Sequence, residues 1–302
     1  MMKNILALVI VMWFSALRVE AGTAMDYRGI DYTKADSLKV VQLLSKANRE
    51  LSTGKLVIYF ARQLRNLPYV AKTLERNKRE RLVINLRQLD CTTYVENVIA
   101  LVMCAKAKMT RFQDFCQTLQ AIRYHNGTVD YVTRKHYFTD WIDANSENGY
   151  VTEISEPTPP FSAIQQLQLD YMSTHVDFYP MLKNRADRVS RIKIIEKSLS
   201  NRVCRYIPKS EIKNTKLLRK VIHDGDIIAI VTNKKGLDTS HLGIAIWHAD
   251  GLHMLNASQV RKKVVEEPMT LRQYMGQHPS QLGIRIVRVH HHLYKKADTD
   301  RN

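Results

Sequence analysis

The hydrophobic period of this chain changes once along its length, and that change restricts what it can become. Through the first half, apolar residues recur at helical spacing. Leu38, Val41, Leu44 and Leu51 punctuate a polar background, Val95, Val98, Ile99, Val102 and Met103 form one stripe, and Phe112, Phe115, Cys116 and Leu119 form another. In the last third the pattern becomes short alternating or continuous apolar runs at 226–232, 241–247, 252–256 and 283–289. His223-Asp224-Gly225 and Ala249-Asp250-Gly251 punctuate these runs as turns. Helices first and strands gathered afterwards is the order of an α+β chain with an antiparallel sheet.

Finer boundaries follow from the same signals. Residues 35–86 read as helical, with breaks at Gly54 and Pro68. A helix is expected to open at Cys91 and pack by one face, and a second to cover 111–124. Asn126-Gly127 turns the chain into a short extended piece at 128–132. Pro157, Pro159 and Pro160 mark an irregular loop, since three prolines so close fit neither helix nor central strand.

The beginning of the chain reads as a secretory leader over 1–21. Lys3 supplies the positive start, 5–17 an apolar stretch too short to span a bilayer comfortably, and Val19 and Ala21 the small residues before a cut. No cysteine follows that cut, so no lipid anchor is expected. The remainder, 22–302, is expected to be one elaborated domain, exported to the periplasm without stable membrane insertion. The formal net charge of +17 suits anionic partners. Export and the lack of a nucleic-acid-binding motif argue against DNA or RNA.

Cys91 is the candidate nucleophile. Asp90 has the chemistry of an N-cap, which puts Cys91 in the first helical turn, where unpaired N–H groups and the positive helix end favour a thiolate. The other cysteines, Cys104, Cys116 and Cys204, show no CxxC spacing. Cys116 lies in a core stripe, and pairing of Cys104 with Cys204 is left open. Among eleven histidines, His241 is best placed to act as a base, because it opens a strand and projects from a rigid element. If 248–251 form a four-residue hairpin loop, Trp247 pairs with Leu252 and His241 lies opposite Ser258. Asn256 is then diagonally adjacent on the same face, able to accept the imidazole N–H and fix its tautomer. Ser258 is the alternative third member. The tracts His290-His291-His292 and His248…His253 invite a metal reading, but the chain has no HExxH and exposed tail histidines account for the first tract; no metal is expected, and no other cofactor.

Several stretches resemble a known family. Asp90-Cys91-Thr92-Thr93-Tyr94-Val95-Glu96, Gly225-Asp226-Ile227-Ile228, Ser240-His241-Leu242-Gly243-Ile244 and Asn256-Ala257-Ser258 are similar to the ordered motifs of NlpC/P60 cysteine peptidases. Tyr206-Ile207-Pro208-Lys209, the 235–241 stretch and Arg134-Lys135-His136-Tyr137-Phe138-Thr139-Asp140-Trp141-Ile142 resemble the DUF1460 branch. The resemblance implies a papain-like α+β core, a catalytic helix packed on an antiparallel sheet, with N-terminal helices and a long insertion between helix and sheet. It implies an N-acetylmuramoyl-L-alanine amidase acting on muropeptides, with Cys91 as nucleophile, His241 as base and Asn256 as orienting residue where histidine is usual. The insertion is where a substrate-binding wall is expected, and Arg134, His136 and Asp140 are its candidate residues. Rival readings are a stem-peptide endopeptidase and an inactive basic cell-wall-binding protein. Stem length, anhydro-sugar preference and oligomeric state are left open.

Overall fold

The computed structural model describes residues 29–290; the leader expected over 1–21, and His291 and His292, lie outside the described residues. Strand β1 (Ile30–Asp31) is followed by helices α1 (Lys34–Lys46) and α2 (Thr53–Gln63), and then by β2 (Leu82–Val83), which pairs with β1 in parallel. Helix does not continue to residue 86 as the apolar spacing suggested. After Gln63 the chain turns, and Pro68 and Tyr69 bridge to Lys263 and Leu89. Gly54 is not a break either. It sits in the first turn of α2, behind an N-cap at Ser52, where any side chain would stand 2.4 Å from the Asp224 carbonyl oxygen. Close backbone approach, not chain reversal, is what requires glycine there.

Helices α3 (Cys91–Lys106) and α4 (Phe112–Arg123) match the expected spans closely. The expectation that α3 packs by one face is corrected. Every residue from Thr93 to Ala105 is buried, because α1, α2, α4 and the sheet surround the helix. The unbroken apolar run from Val98 to Ala105 is the sequence sign of such a central helix. Two polar residues are enclosed with it. Asn97 donates to the Thr93 carbonyl at 2.6 Å, and Glu96 accepts from Arg123 at 2.7 Å. Arg123 also donates to the Val83 carbonyl, tying α3, α4 and β2 together. Glu96→Ala would strand a buried guanidinium, and it is expected to lower unfolding free energy by about 3–5 kcal/mol. Denaturant titration measures this; a loss under about 1 kcal/mol would show that the pair is not structural.

The middle of the chain holds α5 (Phe138–Glu147), β3 (Val151–Ile154), β4 (Ala163–Gln166), α6 (Tyr171–Thr174), α7 (Ala186–Leu199), β5 (Val203–Pro208) and α8 (Lys216–Val221). Then come β6 (Ile227–Thr232), β7 (Thr239–Trp247), β8 (Leu252–Ser258), β9 (Lys263–Glu266), α9 (Leu271–Gly276) and β10 (Gln281–Val289). The main sheet runs β4-β5-β10-β6-β7-β8-β9, antiparallel at every pairing, and β3 pairs with the far end of β10. All six residues of β6 are buried. Ile227 and Ala229 face the core built on α1–α4, while Ile228 and Ile230 face a second core under α8 and α9. A strand covered on both faces loses its polar alternation, which is why β6 reads as a continuous Ile/Val run.

The insertion carries a third core of its own, including Tyr131, Tyr137, Leu169, Met172, Leu182 and Ile192. Residues 128–130 pair with no strand and 131–133 turn, so the expected extended piece over 128–132 does not form a strand. Thr133 donates to the carbonyls of Thr128 and Asp130, so a side chain satisfies backbone groups that a strand partner would otherwise take. The proline loop lies between β3 and β4, as read from sequence. Two contacts fasten the insertion to the sheet. Asp238 accepts the Thr139 N–H at 2.7 Å at the start of α5, and Arg285 of β10 donates to the Thr139 hydroxyl and pairs with Glu153. All four cysteines are free thiols; Cys104 donates to Thr118, and Cys204 packs in the third core. Among the described residues no helix is long and apolar enough to cross a membrane.

Candidate active site

Asp90 caps α3 reciprocally with Thr93: its carboxylate accepts the Thr93 N–H at 2.8 Å, and the Thr93 hydroxyl oxygen accepts the Asp90 N–H at 3.0 Å. This box fixes Cys91 as the first helical residue. The Leu242 backbone on β7 and Thr92 lie close enough to its sulfur to favour the thiolate. The sequence-based expectation that the helix start favours a thiolate needs correction. Burial, and then the Asp90 carboxylate, push the thiol up to about 11 despite those groups. Removing an anion from water opposes what the helix end offers.

His241 follows a bulge in β7. Ile230 of β6 pairs with His241 and Val231 with Thr239, so Ser240 is the extra residue. A bulge bends and re-aims its strand, and this one lies beside the histidine. The hairpin has the expected register: Trp247 pairs with Leu252, and the His248 N–H donates to the Gly251 carbonyl across the loop. The His241 Nε2–H then reaches Asn256 Oδ1 at 3.0 Å. That contact commits Nε2 as donor and leaves Nδ1 as the lone-pair nitrogen. Ser258, the alternative third residue, accepts the Arg261 N–H at 3.0 Å instead. Burial lowers the basicity of His241, against the opposing pull of Asn256. Burial thus disfavours the charged form of both groups, raising the thiol and lowering the imidazole.

Cys91 and His241 line one open cleft of about 680 Å³ together with Thr92, Thr239, Ser240 and Leu242. The insertion supplies the facing wall, chiefly Tyr137, Phe138, Trp141, Met172 and Tyr179, with Phe138 and Trp141 stacked at 5.0 Å. A neighbouring lobe of about 660 Å³ shares Thr92, Lys135, His136 and Tyr179 and adds Lys72, Glu75, Asp90 and Arg134.

The three residues expected to hold substrate are placed differently from one another. His136 lines both lobes, donates Nε2–H to the Tyr131 carbonyl at 2.7 Å, and is held neutral by burial and by Arg134. Arg134 borders only the second lobe. Its guanidinium is buried, pairs with Glu75 and Glu80, and lies 4.8 Å from the Tyr131 ring centroid, so its charge is already compensated. Asp140 is absent from the lining; its carboxylate accepts from His125 at 2.9 Å on α5. Sequence reasoning selected charges in the 134–142 stretch and passed over the aromatics Tyr137, Phe138 and Trp141. Their helical spacing at i, i+1 and i+4 was the available signal.

A family model described as AmiA-like, N-acetylmuramoyl-L-alanine amidase-like, matches residues 59–284. A search of curated proteins finds no match. Among solved structures, an N-acetylmuramoyl-L-alanine amidase from Bacteroides uniformis is 36% identical, aligning over 79% of this chain and 99% of its own with a TM-score of 0.73. A putative xylanase from Bacteroides fragilis is 38% identical over 76% of this chain and 99% of its own, with a TM-score of 0.71. A Legionella pneumophila protein of the DUF1460 family shares the fold at 22% identity, covering 84% of this chain and 94% of its own, with a TM-score of 0.65.

Proposed function

The chain belongs to the N-acetylmuramoyl-L-alanine amidase-like family, and from that premise we propose that it hydrolyses the amide joining the lactyl group of N-acetylmuramic acid to L-alanine in muropeptides. The observation that carries this reading is the shared cleft of Cys91 and His241, with the imidazole tied at 3.0 Å to Asn256. We read the arrangement as papain-like, with a cysteine at a helix start facing a histidine on an antiparallel sheet. Nδ1 of His241 takes the thiol proton as sulfur attacks the lactyl carbonyl. Backbone N–H groups at the start of α3 stabilise the oxyanion. The imidazolium, oriented by Asn256, protonates the departing L-alanine amine. Water activated by the neutral imidazole then releases the muramic acid carboxylate from the thioester.

Amidase action is favoured over a cut within the stem peptide by the shape of the site. Two lobes meet at Thr92, next to Cys91, one walled by Tyr137, Phe138, Trp141 and Met172 and the other bordered by the ionisable residues Lys72, Glu75, Asp90 and Arg134. A sugar on one side of the scissile bond and a peptide on the other would use both, and the aromatic wall comes entirely from the insertion. A formal charge of +17 draws in the carboxylates of such fragments, and periplasmic export would bring enzyme and substrate together. Incubation with a disaccharide-tetrapeptide, followed by mass analysis, tests the reading. Free disaccharide with intact tetrapeptide is expected. Disaccharide still carrying L-alanine would show an endopeptidase, and unchanged substrate a binding protein.

The acid limb of the pH–rate profile tests the Asn256 contact. His241 must be neutral to accept a proton, and its affinity for protons is lowered in the fold. Activity of the wild type is therefore expected to persist below pH 6.5 and to fall only as His241 protonates. In Asn256→Asp a carboxylate takes the amide's place and favours the imidazolium, so the limb should move to higher pH. An unmoved limb would remove Asn256 from the site.

A further inference from the structure

We propose that the tip of the β7–β8 hairpin is a site for a divalent transition metal, held by His248, Asp250 and His253. One ring nitrogen from each histidine and one carboxylate oxygen of Asp250 lie within 4.8 Å of one another. Each ring is already oriented through its other nitrogen. His253 Nδ1 lies 2.9 Å from the Glu267 carbonyl oxygen, and His248 Nε2 lies 2.8 Å from Glu266 Oε1, itself fixed by Arg62. Oxygen acceptors at those positions hold each of these nitrogens as the N–H, so the atoms that would ligate a metal are Nε2 of His253 and Nδ1 of His248. This is how metal-ligating histidines are ordinarily held, with an outer carbonyl or carboxylate fixing the tautomer.

The second nitrogen of His253 faces a carboxylate. Its Nε2 is 2.9 Å from Asp250 Oδ1, a hydrogen-bonded pair that shares one proton, and a metal ion would displace that proton and take both atoms as ligands. The two imidazole rings also stack, with centroids 4.2 Å apart. Two imidazoles and a carboxylate suit a borderline ion such as zinc better than calcium or magnesium, which prefer all-oxygen shells. His253 is buried and rigid, whereas Asp250 is 63% exposed and free to close on an ion arriving from solvent. The same two strands carry His241 and Asn256, so a metal at the tip would clamp the hairpin that builds the other site.

The test is zinc stoichiometry by equilibrium dialysis of chelator-treated protein, comparing the wild type with Asp250→Ala and with the His248→Gln, Asp250→Ala pair. Zinc taken up elsewhere, including at the Cys91 thiol, is common to all three and cancels in the difference. The wild type is expected to hold one more zinc per chain than the double variant. Asp250→Ala is expected to bind at least ~10-fold more weakly, since a charged ligand is lost. The wild-type melting midpoint should rise by roughly 5 °C at a hundredfold excess of zinc over Kd, and the double variant's should not. Melting in EDTA checks that the variants are folded. Equal zinc counts in wild type and folded double variant would overturn the proposal, and so would undiminished affinity in Asp250→Ala.

Discussion

Cys91→Ala is expected to lower muropeptide turnover by on the order of 10⁴-fold or more while leaving the unfolding free energy within about 1 kcal/mol of the wild type. The asymmetry follows from position. Cys91 is the first residue of α3, where the Asp90–Thr93 box, and not the thiol, fixes the helix start. Losing the sulfur removes little packing and all of the proposed covalent chemistry. Cys104, Cys116 and Cys204 behave oppositely. They are buried in the cores, so their loss should appear in stability and not in turnover. Chevron or melting data alongside single-turnover assays separate the two effects. Near-normal turnover in Cys91→Ala would dismiss the nucleophile.

His241→Ala is expected to damage turnover about as much, because a raised thiol has no other acceptor for its proton in the proposed mechanism. The structure makes this dependence sharper than a preformed ion pair would. Burial holds the thiol near 11, so at neutral pH little thiolate exists without the imidazole. Combining His241→Ala with Cys91→Ala should add almost nothing further, since residues acting as one unit are strongly non-additive. The same physics predicts slow alkylation of Cys91 at neutral pH, quickening as pH rises. Alkylation of the His241→Ala protein at the wild-type rate would fit a resting thiol. Turnover at the wild-type rate would not fit any role for the dyad.

Much of the arrangement was legible one element at a time. Asp90 before Cys91 and an apolar stripe announced the start of α3. Ala249-Asp250-Gly251 between two strand-like runs fixed the hairpin register, and with it the closeness of His241 and Asn256, because a two-residue strand period leaves few ways to pair. Local signals of this kind need only neighbours in sequence. The 35–86 stretch failed for the opposite reason. Leucine spacing could not reveal that Pro68 and Tyr69 would bridge to Lys263 and Leu89, which are contacts between distant parts of the chain. Gly54 failed likewise, since the Asp224 carbonyl it accommodates is 170 positions away.

The amino-acid order by itself determined the α+β order of elements, the cap that places Cys91 at a helix start, and the pairing that sets Asn256 beside His241. Each rests on capping, period or turn geometry within a few residues. Only the tertiary structure decided which charges are free and which are spent. Arg134 looks like a substrate-binding cation in sequence, but Glu75 and Glu80 compensate it, and His125 occupies Asp140. It also decided how strongly burial opposes charge at the site. The helix end that favours a thiolate is a local property, whereas the desolvation that opposes it depends on what the tertiary fold packs beside Cys91. Burial is a sum over everything packed nearby, so no short stretch of residues can state it.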